Sequence, residues 1–204
     1  MLKPTTEIYT ELQEIFDFFN QKIFKGELPQ CLIVLQRTRG ASGTFMYSSW
    51  KNEKGKKIEE IALNPSCLLE NNLKIILSTL VHEMTHLWQS HFGKVGKDGW
   101  HNKEWSKKME SIGLMPSHNG EEGGEKTGYK MSDYIIPNGL YEKAFDELQK
   151  LGGKMSWIES IGQTKKQYPK KTKYICKKCG LKVWGKPNLE VTCGGCRVSL
   201  QSSE

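Results

Sequence analysis

The residues with the clearest chemistry are His82-Glu83-Met84-Thr85-His86. An α-helix advances about 100° per residue, so side chains four apart share one face, one turn from each other. His82 and His86 can therefore offer two imidazole nitrogens to one ion, and neutral imidazole is a good zinc ligand. Glu83 stands beside the first histidine and cannot reach the ion with the same geometry. It can instead contact a water that the ion has acidified and take that water's proton as the water attacks a carbonyl. That division of labour is the mechanical content of the HExxH pattern.

A catalytic zinc usually has three protein ligands and one open position. The extended pattern HExxHxxGxxH is excluded, because Gln89 and Phe92 hold the positions it needs for Gly and His. His91 lies nine residues past His82, half a turn out of phase on a continuing helix, and faces away. His101 comes after a loop punctuated by Gly93, Gly96 and Gly99, long enough to turn the chain back, and opens the next helical stretch. Asp98, Glu104 and His118 stay open as third ligands.

A second set is Cys176-x2-Cys179 and Cys193-x2-Cys196. Two such pairs fit a four-thiolate zinc ribbon, a closed structural site. Gly180 and Gly194-Gly195 suit tight turns that need positive φ, and Leu181–Val191 reads as a hairpin around Gly185-Lys186-Pro187. A segment so poor in apolar residues could hardly fold without a metal. Trp184 reads as part of its small core. Cys31 and Cys67, flanked by apolar residues, read as core thiols.

The elements that must carry these residues follow from periodicity. Residues 5–24 read as an amphipathic helix capped by Thr5 or Thr6, ending at Lys25-Gly26-Glu27-Leu28-Pro29. Short strands are expected at 31–35, 44–50 and 58–63, the last stopped by Asn64-Pro65. Residues 73–90 form the most apolar helix and hold the HExxH set. Further helices are expected at 102–112 and 140–151, the latter closed by Gly152-Gly153. The glycine- and acid-rich stretch 115–131 reads as irregular. Trp88, Trp100 and Trp105 could wall the cleft or simply pack.

The chain has 204 residues and a net charge of +7, with the surplus unevenly placed. Residues 160–204 hold nine Lys and one Arg against two Glu, so residues 1–159 sum to −1. Four thiolates with one Zn²⁺ would lower the terminal segment to about +6. Lysines interleaved with Tyr168, Tyr174 and Trp184 offer phosphate contacts and stacking faces for DNA or RNA, single strands included. No apolar run is long enough to cross a membrane, and the N-terminal residues lack the pattern of a signal peptide. A cytoplasmic, nucleoid-associated or nuclear protein is expected, whose six cysteines serve as metal ligands or free thiols.

These residues resemble the SprT-like family of zinc metalloproteases, to which Spartan belongs. The likeness rests on HEMTH, then His101-Asn102-Lys103-Glu104-Trp105 after the loop, with Phe24-x-Gly26-x-Leu28-Pro29 and Ile61-x-Leu63-Asn64-Pro65 upstream. It spans roughly residues 5–115 and resumes at the C-terminal cysteines. It implies an α+β zincin-like domain, an active-site helix plus a small mixed sheet, over residues 1–160, with 116–160 an extension outside the family's core pattern. A basic linker at 161–172 and a zinc ribbon at 173–204 follow. It also implies His82, His86 and His101 as ligands of a catalytic zinc, Glu83 as general base, and a second, structural zinc on Cys176, Cys179, Cys193 and Cys196. The implied activity is endopeptidase cleavage of proteins associated with nucleic acid, of the DNA–protein crosslink type. The alternative is a non-proteolytic DNA- or RNA-associated zinc protein acting in transcription or replication.

Overall fold

The first helix starts at a proline. Pro4, whose missing N–H and fixed φ suit the first helical turn, opens α1 (Pro4–Ile23), and neither Thr5 nor Thr6 caps it. In the computed structural model, which describes residues 3–67, 72–158 and 171–203, α1 turns Leu12, Ile15, Phe16, Phe19 and Ile23 inward as its periodicity demands. The Phe24–Pro29 turn is pinned from the helix: the buried Asn20 amide donates to the Leu28 carbonyl at 3.0 Å and accepts from its N–H at 3.1 Å. Gly26 takes a φ of +75°, which glycine adopts without steric cost.

Three strands follow, β1 (Leu32–Leu35), β2 (Gly43–Lys51) and β3 (Lys57–Leu63). They form one mixed sheet in the order β1-β3-β2, with β1 parallel and β2 antiparallel to the central β3. Among the described residues β2 pairs with β3 alone, so its other edge is unpaired. Its register shifts between Met46 and Trp50, and Ser48 sits there at φ +43°. Such a bulge kinks the far part of the strand and leaves Gly43 to Met46 in regular register.

Helix α2 (Leu73–Phe92) buries residues around much of its circumference, as its composition requires. Asn72 caps its start by accepting from the Ile75 N–H. Helix α3 (Lys103–Ser111) is capped in the same way by Asn102, which accepts from the Trp105 N–H at 3.0 Å. Helix α4 (Leu140–Lys150) ends at Leu151 with Gly152 at φ +82°. The four helices and the mixed sheet share one core, in which Phe16, Phe19, Leu77, Leu80, Met84, Trp105 and Tyr141 are fully buried.

The stretch read as irregular contains strand structure. β4 (Leu114–Ser117) pairs antiparallel with β5 (Ser132–Ile135) around the loop 118–131. Glycines and acids hide the pattern because each strand spans four residues, too few for alternation to stand out.

Contacts divide the chain into two compact units, residues 1–162 and 163–204. Most of the linker expected at 161–172, Tyr168 and Lys170 included, lies outside the described residues. In the second unit β6 (Thr172–Ile175) is central, flanked by β7 (Lys182–Gly185) and β8 (Gln201–Ser203), both antiparallel. The hairpin expected within 181–191 is therefore not the one formed, since β7 turns back onto β6 across the first Cys-x-x-Cys. Its core holds Tyr174, Cys176, Cys193 and Leu200. Trp184, expected inside, is 61% exposed. Tyr174 takes that place because its hydroxyl finds two partners there, donating to the Lys186 carbonyl at 2.7 Å and accepting from the Leu189 N–H at 2.9 Å.

Candidate metal centre

Helix α2 presents His82 and His86 one turn apart, and their ring centroids lie 5.3 Å from each other. His101 reaches them from the residue before the cap of α3, and its Nε2 comes 3.0 Å from His86 Nε2. One nitrogen from each of the three rings lies within 4.8 Å of the others. Trp105 forms the floor under all three, with ring centroids at 4.9, 5.2 and 4.4 Å from His82, His86 and His101. Of the three tryptophans flagged in the sequence, Trp105 thus walls the site. Trp100 makes an edge contact with Tyr129, and Trp88 packs under the Lys108 ammonium.

The loop that delivers His101 is tied by a polar knot. The two N–H groups of Gln89 Nε2 are shared among three acceptors, the Lys94 carbonyl, Asn102 Oδ1 and Glu104 Oε2, while Glu104 Oε2 accepts the Lys94 N–H at 2.6 Å. Glu104, open as a third ligand in the sequence, is engaged in holding this loop. His118 accepts the Glu125 N–H on its Nδ1 at 3.0 Å, lining the cleft apart from the trio. His91 points to Glu59, its Nε2 at 3.3 Å from the carboxylate, as its helical phase requires.

Two outer ring nitrogens have partners that sequence reading missed. His82 Nδ1 lies 2.9 Å from Asp133 Oδ1, and His101 Nδ1 lies 2.9 Å from the Gly128 carbonyl. Carbonyl and carboxylate oxygens only accept, so both rings donate from Nδ1, and in the neutral form each keeps a bare lone pair on Nε2. Burial, then the charges of His82 and His101, hold His86 well below the usual histidine range. Burial and His82 bring His101 down to about 4. For His82 burial acts downward too, but the Asp133 hydrogen bond and the Glu83 and Asp133 charges outweigh it and the net shift is upward. Neutral rings with lone pairs converging at this distance repel one another unless a proton or a cation sits between them. A divalent ion with a preference for nitrogen donors fits this set.

Glu83 is buried beside the trio, and burial pushes its carboxyl up to about 7, with His82 opposing and Asp133 adding to the rise. Its position depends on the start of β2. A side chain at Gly43 would put Cβ 2.7 Å from Glu83 Oε1 and 2.8 Å from Thr79 Cγ2. Gly43 is held there through Asn64, the Asn of the Ile61–Pro65 motif, whose amide donates to the carbonyls of Thr38 and Ala41 at 2.7 and 2.9 Å. These residues open onto a cleft of about 510 Å³ whose walls include Gly43, Phe45, Tyr47, Glu83, Tyr129 and Asp133.

The four cysteines come together in the second unit as free thiols. Cys179 Sγ and Cys193 Sγ lie 3.7 Å apart, close to the roughly 3.8 Å edge of a tetrahedron with metal–sulfur bonds of about 2.3 Å. Each pair occupies the tip of a tight turn. Gly180 N–H donates to the Cys176 carbonyl and Arg197 N–H to the Cys193 carbonyl, at 2.8 and 2.7 Å. The backbone N–H groups of Cys179 and Lys178 favour the Cys176 thiolate and hold that thiol at about 7. Gly180 takes the expected positive φ, +75°, but Gly194 and Gly195 do not. The equivalent left-handed position in the second turn belongs to Arg197, at φ +53°. A β-carbon costs about 1–2 kcal/mol there, partly offset by the greater unfolded freedom of glycine, about 0.4–1 kcal/mol. Arg197→Gly is therefore expected to raise the affinity of the thiolate site for zinc about two- to five-fold, read by competition with a chelator.

Known proteins supply the last observation. The chain is 48% identical over 62 residues to an uncharacterized protein in the mucB 3′ region of Salmonella typhimurium, covering 28% of this chain and 80% of that one. It is 34% identical over 112 residues to Protein SprT of Klebsiella pneumoniae subsp. pneumoniae, covering 54% of this chain and 59% of that one. It is 42% identical over 84 residues to Protein SprT of Erwinia tasmaniensis, covering 40% of this chain and 42% of that one. The chain thus spans about half the length of these SprT proteins. The SprT-like family model matches residues 12–123, which hold the HExxH helix, His101 and the polar knot between them. This protein belongs to the SprT-like family.

Proposed function

We propose that this protein is a zinc-dependent endopeptidase with a zincin-like catalytic domain, acting on proteins associated with nucleic acid. The observation that carries the reading is three imidazoles, one nitrogen of each within 4.8 Å of the others, with the buried Glu83 beside them in one open cleft. His82, His86 and His101 would hold the ion, which when bound supplies Lewis acidity toward a scissile carbonyl and the attacking water. Glu83 takes the proton from that water and returns it to the leaving amine.

The thiolate cluster would hold a second zinc as a structural centre. Contact with DNA, single-stranded DNA included, is supported by the surface of the second unit. Trp184 is exposed and directly opposite Lys173 across the β6–β7 pair, so a stacking face and a cation share one side of the ribbon. Lys177, Lys178, Lys182 and Lys186 add charge nearby in the chain. Among the described residues no helix is long and apolar enough to cross a membrane.

The test is cleavage of a DNA-bound protein by the parent chain and by Glu83→Gln. Cleavage by both at one rate removes the general base. Cleavage by neither, with tight salt-sensitive DNA binding by both, replaces the enzyme with a nucleic-acid-binding scaffold. Gly43→Ala gives a finer expectation. Its Cβ displaces the Glu83 carboxylate and leaves the imidazoles in place, so zinc content stays at the parent level. Cleavage falls about ten- to a hundredfold, since a misplacement of an ångström can cost that much.

A further inference from the structure

One short stretch of chain stands behind two of the three imidazoles. Gly128 and His101 exchange backbone hydrogen bonds at 2.9 and 3.2 Å, and the Gly128 carbonyl also faces His101 Nδ1 at 2.9 Å. Five residues on, Asp133 meets His82 Nδ1 at 2.9 Å, with both side chains about nine-tenths buried. Asp133 is carried there by β5, in register with Pro116 of β4. Both residues lie beyond the 12–123 segment that the family model matches.

We propose that residues 128–133 act as a strap that orients the metal ligands, with Asp133 as a positioning residue. A neutral imidazole has one N–H. If that proton may sit on either nitrogen and the ring may turn, only a fraction of the population aims Nε2 at the ion. The Gly128 carbonyl and the Asp133 carboxylate each hold that proton on Nδ1 and fix the ring plane. The carboxylate also makes its ring a stronger donor to a cation. Asp133 touches neither substrate nor ion in this role; it acts through His82. The inference rests on the metal-binding part of the reading above, not on proteolysis.

The experiment uses the full chain with zinc filling the thiolate site and cobalt(II) titrated into the histidine site. Affinity and the visible d–d spectrum are read for the parent, Asp133→Ala and Asp133→Asn. Asp133→Ala is expected to weaken cobalt binding about 10- to 100-fold and to change the d–d bands. Asp133→Asn keeps an accepting oxygen but loses the charge and should fall between. It also keeps the packing, so the comparison holds even where Asp133→Ala fails to fold. Nitrogen-15 spectra of His82 should show the proton on Nδ1 in the parent and a mixture of tautomers in Asp133→Ala. Parent-like affinity and bands in both variants overturn the strap alone and leave the proposed cleavage standing. A parent that takes up no cobalt at the histidines overturns the metal centre, and the strap with it. Loss of affinity in the variants supports the strap whether or not any form cleaves protein.

Discussion

Under the proposed activity, Glu83→Gln is expected to lower cleavage by about 10²- to 10⁴-fold, the range that a positioned general base contributes, with the metal content of the parent unchanged. The substitution keeps the shape of the side chain, so the contacts that would crowd any Cβ at Gly43, Glu83 and Thr79, stay as they are. His82, His86 and His101 are untouched, and so are the Asp133 and Gly128 acceptors behind them. Only the capacity to accept and return a proton is lost. Metal analysis and thermal melting should match the parent, and a cleavage assay should not. A variant that loses zinc along with activity would assign Glu83 to the structure of the site.

The second large effect concerns the ribbon. Removing the metal proposed for it, by a strong chelator or by Cys193→Ser, is expected to unfold residues 171–203. Among the described residues its buried set is Tyr174, Cys176, Cys193 and Leu200, with Val183, Val191 and Cys196 packed against them. Two of those four are themselves proposed ligands. The remaining apolar set, Tyr174 and Leu200 with Val183 and Val191 beside them, is too small a core to hold a segment of this length without a metal. Zinc binding to such sites carries about 10–16 kcal/mol and is in effect the folding free energy. Hydrogen exchange is the direct readout. Amides of β6, β7 and β8 should be protected only in the metal-loaded form, whereas those of α1 to α4 should be protected in both. Persistent protection of β6 after chelation would show a ribbon that folds on its own.

Local spacing made much of this legible. The histidines of the HExxH set share a face because a helix has 3.6 residues per turn, and His91 is turned away by the same arithmetic. The helices and the first three strands follow from periodicity and from the turn residues that bound them. Asp133 did not show, because nothing in sequence links it to a histidine 51 residues earlier. The link is the four-residue pairing of β4 with β5, whose strands are too short to reveal a period. Gly128 contributes through its backbone, which no residue type announces. In the ribbon, Trp184 was expected in the interior and Tyr174 occupies it instead. The hydroxyl decided, since Tyr174 can satisfy it inside. Gly194 and Gly195 drew attention away from Arg197 because composition points to glycine wherever a left-handed residue is needed, and here an arginine bears it.

The mixed sheet presents beside the cleft the side of β2 that is unpaired among the described residues, where Gly43, Thr44, Phe45 and Tyr47 form part of the wall. A stretch of polypeptide laid along that side would be gripped through its amides and carbonyls, which are alike in every protein. Under the proposed activity, selection would then turn on whether a victim has a segment loose enough to be drawn out straight. Such an enzyme would be broad in what it degrades, and the burden of restraint would fall on whatever brings it to its target.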